Sequence, residues 1–364
     1  MSTDLPCRAL NGKYHAIPLT SRIFVFGSST IALKQIGAEE MAALIAQFDV
    51  GTLTSAKGIA EGVSNSNWLI DTTGKASQDG RRLPQRFILT MYEFRIEIED
   101  LPFFLSLLDH LADKHCPVPR TIHDARGNLY RLRPDPVRGV RALALIEYLP
   151  GISVSEPTPA QARAVGAALA QMHRAAADFP GARDNAMGLA EWQRLAEACG
   201  DEGLRAIDPD LAQLVAHELP LLAAAWPTEL PRSVIHADLF PDNVLMLGDT
   251  VTGLIDFYFA CTDLTAYDLA VTHTAWCFDN DGHRFCPELS AALIAGYESV
   301  RPLSPAERTA LPILARGAAM RFTMSRAYDW LNTPADALVT RKDPMAFARR
   351  IAFYADPANS GLFA

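Results

Sequence analysis

The first 150 residues contain apolar side chains at two different spacings. Apolar residues three or four positions apart predict helices over residues 39–48 and 101–111. Short apolar runs over residues 68–70, 86–92 and 141–149 instead predict strands, because strands are shorter than helices and are enriched in branched and aromatic residues. This region is therefore expected to be a small mixed sheet with a helix packed against it.

Two further stretches of this region are polar or lack a clear period. Residues 74–85 are basic and rich in Gly and Ser, and their position between two predicted strands indicates a long hairpin loop. Residues 1–37 show only weak periodicity and are interpreted as an N-terminal extension. Asp100 stands directly before the second helix, where its carboxylate is expected to cap the helix N-terminus.

Helical spacing dominates after residue 150. Two segments, Thr158–Gln161 and Ser304–Glu307, have the capping-box pattern with proline at the first helical position, so each predicts a helix start. Pro312 is expected to kink or interrupt the second of these helices. The chain therefore predicts an α+β fold, with a small β-rich lobe at 38–149 and a larger, mainly helical lobe at 150–364.

The composition is that of an ordinary globular protein. The chain has 364 residues, of which 49% are hydrophobic and 21% charged, and this excludes a disordered or fibrous chain. A net charge of −9 does not favour binding to nucleic acid or to an anionic membrane. No apolar run is long enough for a signal peptide or a membrane span. The six cysteines form no C-x-x-C pair, which predicts reduced thiols in a cytoplasmic protein.

One segment between the predicted helices, residues 233–272, reads as strands and turns and carries an unusual set of polar residues. A loop presents Asp238 and Asn243, five residues apart, and a later strand leads to Asp256. Apolar stretches follow Asn243 and precede Asp256, and they predict a hairpin that brings these two side chains to the same end. One carboxylate to accept a hydroxyl proton and two oxygen ligands for Mg²⁺ are what phosphoryl transfer from ATP requires.

This pattern, H-x-D-x-x-x-x-N followed by I-D-F, resembles the catalytic and metal-binding loops of protein-kinase-like phosphotransferases. It is closest to the aminoglycoside phosphotransferase and choline kinase superfamily. The resemblance implies a two-lobed protein-kinase-like fold that uses ATP and Mg²⁺, with Asp238 as catalytic base and Asn243 and Asp256 as Mg²⁺ ligands. It also implies that Asp268, in a D-x-x-Y-D-L-A stretch, braces the catalytic loop and that His236 shapes this loop through hydrogen bonds.

The same resemblance implies two nucleotide-binding segments. The polar stretch 57–67 lies where the superfamily has its phosphate-covering loop, although it matches neither G-x-G-x-x-G nor a Walker A motif. Its backbone N–H groups and polar side chains are suited to cradling phosphate oxygens. The end of the strand before residue 151 lies where adenine binds the hinge between the lobes. The candidate ATP-binding residues are Lys57, Ser64, Asn65, Ser66, Glu147 and Leu149.

A lysine that most kinases carry is missing from the small lobe. The strand at 86–92 has Thr90 at the place of the lysine that binds the α- and β-phosphates, and threonine is neutral and too short to replace it. Our hypothesis is that Lys57, beside the phosphate-covering loop, or Mg²⁺ alone offsets the phosphate charge.

Two longer stretches narrow the resemblance to one branch, the bacterial homoserine kinases of the aminoglycoside-phosphotransferase type. They are F-Y-F-A-C-T-D, which begins at Phe257, and Y-D-W-L-N-T, which begins at Tyr328. The resemblance extends over about residues 38–350. It implies L-homoserine as the acceptor, which would place the reaction in threonine biosynthesis.

Homoserine is a small zwitterion, and its carboxylate needs an arginine or a lysine. Arg316, Arg321 and Arg326 lie on one helical segment, and Arg321 is the preferred candidate. Tyr258 and Asp263 are candidates to line the same pocket, although Asp263 is also typical of a turn residue at a helix start.

Two other functions are compatible with these residues. The acceptor could be a different small alcohol, such as choline, an aminoglycoside or a sugar. Alternatively, the chain could be a nucleotide-binding pseudokinase. The missing small-lobe lysine slightly favours a pseudokinase, whereas the intact set of Asp238, Asn243 and Asp256 argues more strongly against it.

Overall fold

An antiparallel sheet forms the centre of the N-terminal part of the chain. The computed structural model describes residues 36–59, 65–76, 82–92, 96–135, 139–333 and 341–363. The strand order is β1-β2-β3-β6-β4, with β5 also paired to β6, and every pairing is antiparallel. The strands are β1 (Leu53–Ile59), β2 (Asn65–Thr72), β3 (Gln85–Tyr92), β4 (Thr121–Ile122), β5 (Arg131–Asp135) and β6 (Gly139–Glu147).

Strand β6 divides its apolar side chains between two hydrophobic cores. Leu143 and Leu145 pack into a small core with residues of helix α1 (Ala38–Ile45). Ala142, Ala144 and Ile146 pack into the main core, which includes helix α2 (Leu101–Asp113). Successive side chains of a strand point to opposite faces, so a run of consecutive apolar residues can cover both faces of the sheet.

The C-terminal part of the chain is mainly helical. Its seven helices within the described residues are α3 (Pro159–Ala176), α4 (Leu189–Ile207), α5 (Leu211–Ala225), α6 (Thr265–Trp276), α7 (Pro287–Glu298), α8 (Pro305–Asn332) and α9 (Met345–Ala355). Two small antiparallel pairs lie between α5 and α6, and they contain β7 (Arg232–Ile235), β8 (Val244–Leu247), β9 (Thr250–Leu254) and β10 (Cys261–Leu264). An α+β fold is therefore confirmed, whereas the lobe boundary at residues 149 and 150 stays a prediction.

Both predicted capping boxes are present. The hydroxyl of Thr158 accepts a hydrogen bond from the Gln161 N–H at the start of α3, and Ser304 accepts one from Glu307 at the start of α8. In each case the N3 side chain also bonds back to the N-cap backbone. Such a reciprocal pair satisfies two N–H groups that would otherwise lack a partner at a helix start.

Three expectations about helices need correction. Helix α8 continues through Pro312, so the expected interruption is wrong, while the alternative of a kink stays a prediction. Asp100 occupies the N-cap of α2 but makes no side-chain cap, because its carboxylate accepts a hydrogen bond from Arg183 instead. Helix α1 ends at Ile45 rather than at residue 48.

The hairpin between β2 and β3 is confirmed, although residues 77–81 of its loop lie outside the described residues, as do residues 1–35 of the expected extension. None of the helices in the described part of the chain combines the length and hydrophobicity needed to span a bilayer. The five described cysteines are free thiols: Cys116, Cys199, Cys261, Cys277 and Cys286.

Two glycines let α3 and α7 approach closely. A Cβ atom added at Gly166 would lie 2.1 Å from the Leu293 carbonyl oxygen, and one added at Gly296 would lie 2.0 Å from the Arg163 carbonyl oxygen. Both distances are far below van der Waals contact, and the obstructing atoms belong to backbone that cannot rotate away. The helix pair therefore depends on the absence of side chains at these two positions.

We expect Gly166→Ala to destabilise the protein by about 1–3 kcal/mol, because overpacking a rigid interface costs more than the gain in helix propensity. Gly203→Ala is the matched control. It also lies inside a helix, but its added Cβ would meet only the flexible tip of Leu331. Chemical denaturation should show a lower midpoint for the first variant alone. Equal stability of both variants would contradict the close-packing argument.

Candidate active site

A β-hairpin brings two of the predicted metal ligands together. Strands β8 and β9 pair with Val244 opposite Leu254, and the Ile255 N–H donates to the Asn243 carbonyl over 3.0 Å. Asn243 directly precedes β8, and Asp256 follows β9 by two residues. The predicted hairpin is confirmed, and its register places the backbone of both residues at the same end.

The side chain of Asn243 also connects this end to Asp238. Its Nδ2 donates to the Asp238 carbonyl over 2.8 Å and lies 3.3 Å from the Asp238 carboxylate. A carbonyl can only accept a hydrogen bond, so the amide must present its nitrogen to Asp238. The Asn243 amide oxygen is consequently left for another partner.

The loop backbone before Asp238 is held in an uncommon conformation by Asp268. Ala237 has φ +62°, which is unfavourable for a residue with a side chain. The fully buried Asp268 carboxylate accepts the N–H groups of His236 and Ala237, each over 2.7 Å. The guanidinium of Arg321 donates to the Ala237 carbonyl, in the next peptide unit, which joins Ala237 to Asp238. Charged groups therefore fix the strained residue next to Asp238 from two directions.

A buried histidine that sequence reasoning missed completes this support. His173 lies 3.0 Å from Asp268 through Nε2 and 2.8 Å from the Tyr297 hydroxyl through Nδ1. Arg301 also contacts that hydroxyl, and a guanidinium can only donate, so Tyr297 donates to Nδ1 and Nε2–H donates to Asp268. The available signal was a histidine at the end of the apolar face of α3.

At Asp268, hydrogen bonds and burial shift the pKa in opposite directions, and the net shift is downward. Burial alone would raise the pKa of this carboxyl, but the hydrogen bond from His173 and the bonds from the loop backbone hold the pKa below its usual value. Asp268 therefore stays ionised, as its role as an acceptor of several donors requires.

His236 ties the loop of Asp238 to the segment of Asp256. Its Nδ1 accepts the Asp238 N–H over 3.2 Å, and its Nε2–H donates to the Ile255 carbonyl over 2.9 Å. These partners fix one neutral tautomer, and burial lowers the pKa of the ring. Since one nitrogen accepts and the other donates, His236 positions two backbone segments and is not available to transfer protons.

The carboxylates of the site repel one another. Burial raises the pKa of Asp238, and Arg321, whose Nη2 lies 3.6 Å from Oδ1, opposes the rise. Asp256 is exposed, yet desolvation by its surroundings and the charges of Asp238 and Asp242 raise its pKa to about 7. The negative charges of these three acidic residues thus oppose one another, and a bound cation would relieve their repulsion.

The donor set suits Mg²⁺ bound together with phosphate groups. Mg²⁺ prefers oxygen ligands and in proteins is commonly held by one or two side chains plus substrate phosphates. The Asn243 amide oxygen and the Asp256 carboxylate are the two candidates for such ligands. No group of three or more His, Cys, Asp or Glu side chains within the described residues could hold a metal by itself. The residues therefore fit a nucleotide-bound ion better than an all-protein metal centre.

Most of the predicted phosphate-loop residues belong to strands. Lys57 is an exposed residue of β1, opposite Leu69 of β2. Asn65 and Ser66 begin β2, and Ser66 is only 4% exposed, which corrects the expectation that both belong to an open loop. Ser64 lies outside the described residues.

The neutral residue in place of the small-lobe lysine has a partner in the sheet. The hydroxyl of Thr90 donates to the Asn67 side chain over 2.8 Å. This pair links β3 to β2, and Thr90 is buried at 4% exposure. The position therefore supplies no cation, as the sequence indicates.

The proposed hinge is only partly available for adenine. The Glu147 N–H donates to the Arg120 carbonyl over 2.9 Å, and its carboxylate accepts the Arg120 N–H over 3.1 Å. The Glu147 N–H is therefore already bonded, whereas the expectation that adenine binds other backbone groups between Glu147 and Leu149 stays a prediction. Leu149 is half-buried, and a Cβ atom added at Gly253 would lie 2.8 Å from its Cδ1. Leu149 therefore packs against β9 at the junction of the two parts of the chain.

The three predicted substrate residues are held by other protein groups. Both carboxylate oxygens of Asp263 accept hydrogen bonds, from Asn185 and from the Leu264 N–H, so the geometry favours the helix-start role over substrate contact. The Tyr258 hydroxyl donates to Tyr92 over 3.3 Å, and its ring packs edge-on against Phe104. Tyr258 thus contributes to packing between β3, α2 and the active-site segment.

Arg321 is too deeply buried for the expected contact with a substrate carboxylate. Its side chain is 2% exposed and is directed to the Ala237 carbonyl and the Asp238 carboxylate. The arginine predicted to bind substrate is therefore a positioning residue for the loop.

A cavity of about 460 Å³ opens behind this network and is separate from the candidate site. His173, Arg232, Thr265 and Arg301 are among its lining residues, whereas Asp238, Asn243 and Asp256 are not. The buried pair of His173 and Asp268 separates this cavity from the loop of Asp238.

Comparison with known proteins identifies one matching family and several similar proteins. Residues 55–306 match the model of the phosphotransferase enzyme family. The chain is 46% identical over 332 residues to a homoserine kinase of Parvibaculum lavamentivorans, covering 90% of this chain and 98% of that protein. It is 47% identical over 319 residues to a homoserine kinase of Brucella anthropi, covering 86% and 91%.

Solved structures with this fold are more distant in sequence. An amicoumacin kinase in complex with AMP-PNP, Ca²⁺ and amicoumacin superposes with a TM-score of 0.65 at 14% identity, covering 88% of this chain and 93% of that one. A spectinomycin phosphotransferase in complex with ADP and spectinomycin superposes with a TM-score of 0.59 at 14% identity, covering 90% and 98%. These likenesses confirm the expected protein-kinase-like fold.

We expect Asp268→Asn to destabilise the protein by about 3–5 kcal/mol, because the amide replaces a buried charge and directs an N–H group toward other donors. Asp178→Asn is the control, since Asp178 has a side chain that is 70% exposed and pairs with Lys114 at the surface. Its cost should stay below about 1 kcal/mol. Denaturant unfolding measures both. A cost at Asp268 as small as that at Asp178 would remove the carboxylate from its supporting role.

Proposed function

This chain belongs to the phosphotransferase enzyme family, and we propose that it transfers the γ-phosphate of ATP to the side-chain hydroxyl of L-homoserine. The product is O-phospho-L-homoserine. The main support is the near-full-length identity of about 46% to homoserine kinases, combined with one site that holds Asp238, Asn243 and Asp256. We also propose that the protein is cytoplasmic and that it binds neither nucleic acid nor a membrane.

Asp238 acts as the base in the proposed reaction. The hydroxyl oxygen of homoserine attacks the γ-phosphorus, the bond from that phosphorus to the β,γ-bridging oxygen breaks, and the hydroxyl proton passes to the Asp238 carboxylate. Burial raises the pKa of Asp238, which makes the carboxylate a better proton acceptor. The support from Asp268 and Arg321 fixes the adjacent backbone, so the carboxylate needs little reorganisation.

Asn243 and Asp256 would hold Mg²⁺ against the phosphates in this proposal. Such an ion would supply positive charge that neutralises the phosphates. The protein's contribution is to keep both ligands at one end of the hairpin formed by β8 and β9 and to keep the Asn243 amide oxygen directed away from Asp238.

The nucleotide lies between the sheet and the hairpin in the proposed complex. Leu149 is placed at the junction of the two parts of the chain, next to Gly253, and is suited to contact the base. Lys57 is the candidate cation for the phosphates, because Thr90 is neutral and already bonded to Asn67. Backbone groups near Asn65 and Ser66 are the remaining candidates from the phosphate-covering segment.

A panel of alcohols tests the acceptor. We expect a coupled assay of ADP release to show a kcat/KM for L-homoserine at least about 100-fold above those for choline, kanamycin and methylthioribose, because pocket groups left unpaired by the wrong alcohol penalise it. Preference for another alcohol would overturn the choice of homoserine. Binding of ATP without turnover of any alcohol would instead favour a pseudokinase.

We expect Asp238→Asn to lower kcat for homoserine by roughly 10²–10⁴-fold, since an amide cannot accept the hydroxyl proton. The dissociation constant for ATP should change only a few-fold. Asp242→Asn is the matched control, because Asp242 is an exposed acid in the same loop and occupies a variable position of the motif. Steady-state kinetics and nucleotide binding separate the two effects. A kcat that falls equally in both variants would assign the loss to local charge and not to a base at position 238.

A further inference from the structure

Of the three arginines on helix α8 between residues 316 and 326, two have protein partners that keep them from a substrate. Arg316 makes an ion pair with the buried Glu218 through Nη2 and a second bond through Nε. Arg321 is buried against the loop of Asp238. The guanidiniums of both residues are therefore committed to holding the fold.

Arg326 differs from both. It is partly exposed, and within the described residues it has no carboxylate at ion-pair distance. Its one described hydrogen bond runs from Nη1 to the Asp343 carbonyl over 3.1 Å. A guanidinium has five N–H donors, so most of the donor capacity of Arg326 is not used by these contacts.

Aromatic packing holds Arg326 beside the catalytic loop. Its guanidinium carbon lies 4.5 Å from the centre of the Phe347 ring. That ring is 6.0 Å from the ring of Phe240, which is two residues beyond Asp238. A cation against an aromatic face loses hydration but keeps its planar edge for other ligands.

The charged residues that act on Arg326 include Asp238 and Asp242 of the candidate site. Burial lowers its pKa to about 10, while the negative charges of Asp343, Asp238 and Asp242 oppose the decrease. The guanidinium is thus partly desolvated and near the proposed base. A substrate that carries a carboxylate is repelled by Asp238 and needs a cation at this place to offset the repulsion.

We propose that Arg326 binds the α-carboxylate of the acceptor and so selects amino-acid alcohols over neutral or cationic ones. This inference rests on the proposed function and deepens it. Arg326 is a partly exposed arginine beside the loop of Asp238 without a described ion-pair partner, whereas Arg316 and Arg321 are both bound to carboxylates of the protein. The planar fork of arginine matches a carboxylate through two parallel hydrogen bonds.

The test compares two acceptors that differ only in the carboxylate, L-homoserine and 3-amino-1-propanol. For the wild-type protein we expect kcat/KM to favour homoserine by roughly 30- to 150-fold, the value of a charge-assisted pair. Arg326→Gln should reduce this preference to less than about 5-fold, through a higher KM for homoserine, with the KM for ATP unchanged. Arg326→Lys should keep an intermediate preference, because it retains the charge but not the fork.

Lys342→Gln is the matched control. Lys342 is an exposed cation whose charge lowers the pKa of Asp238, so its removal changes the charge of the same region. This variant should keep the wild-type preference. Loss of the preference in Lys342→Gln, with retention in Arg326→Gln, would overturn the inference. Thermal melting of each variant, compared with Arg326→Lys, separates a lost contact from a lost fold.

The outcomes also separate the inference from the proposed function. If the wild-type protein does not phosphorylate homoserine, the proposed function is wrong and the inference falls with it. If the wild-type protein uses homoserine and Arg326→Gln discriminates the two acceptors as well as the wild type, only the inference is wrong.

Discussion

The geometry of the candidate site depends on one buried carboxylate. Asp268 accepts two backbone N–H groups of the catalytic loop and a third hydrogen bond from His173. The loop includes Ala237 at φ +62°, a conformation that would relax without these bonds. A buried charge is stabilised only if its partners are complete, so the loop and its support depend on each other. This reciprocity explains why an acidic residue lies inside a hydrophobic core.

The support extends from the core to the surface and across to the second loop. Tyr297 connects His173 to Arg301, whose guanidinium pairs with Glu307 at the start of α8. On the other side, His236 connects the Asp238 backbone to the Ile255 carbonyl, next to Asp256. The loop of Asp238, the proposed base, and the segment of Asp256, a proposed metal ligand, are therefore positioned by the same network.

Local sequence patterns predicted the structural features that depend only on residues close together in the chain. The hairpin that joins Asn243 to Asp256 followed from two apolar runs, because strand pairing requires only a turn between them. The roles of His173 and Arg321 depend on partners 95 and 84 residues away, which no local spacing can reveal. Ser66 was expected in a loop because Asn65, Ser66 and Asn67 are all polar, but β2 extends through them with alternating half-buried and buried side chains. This extension of the strand and the burial of Arg321 both depend on the fold.

The charge balance explains how a neutral residue at position 90 is compatible with phosphate transfer. Three acidic residues, Asp238, Asp242 and Asp256, act on one another in the site, and the nearest arginine, Arg321, is committed to the loop backbone. A triphosphate adds further negative charge, and a neutral threonine in the sheet does not oppose it. Under the proposed function, most of the compensating charge must therefore arrive with the nucleotide as its metal ion. The Asn243 amide oxygen and the Asp256 carboxylate are the proposed ligands for that ion, so under this proposal the site binds the metal–nucleotide complex and not the nucleotide alone.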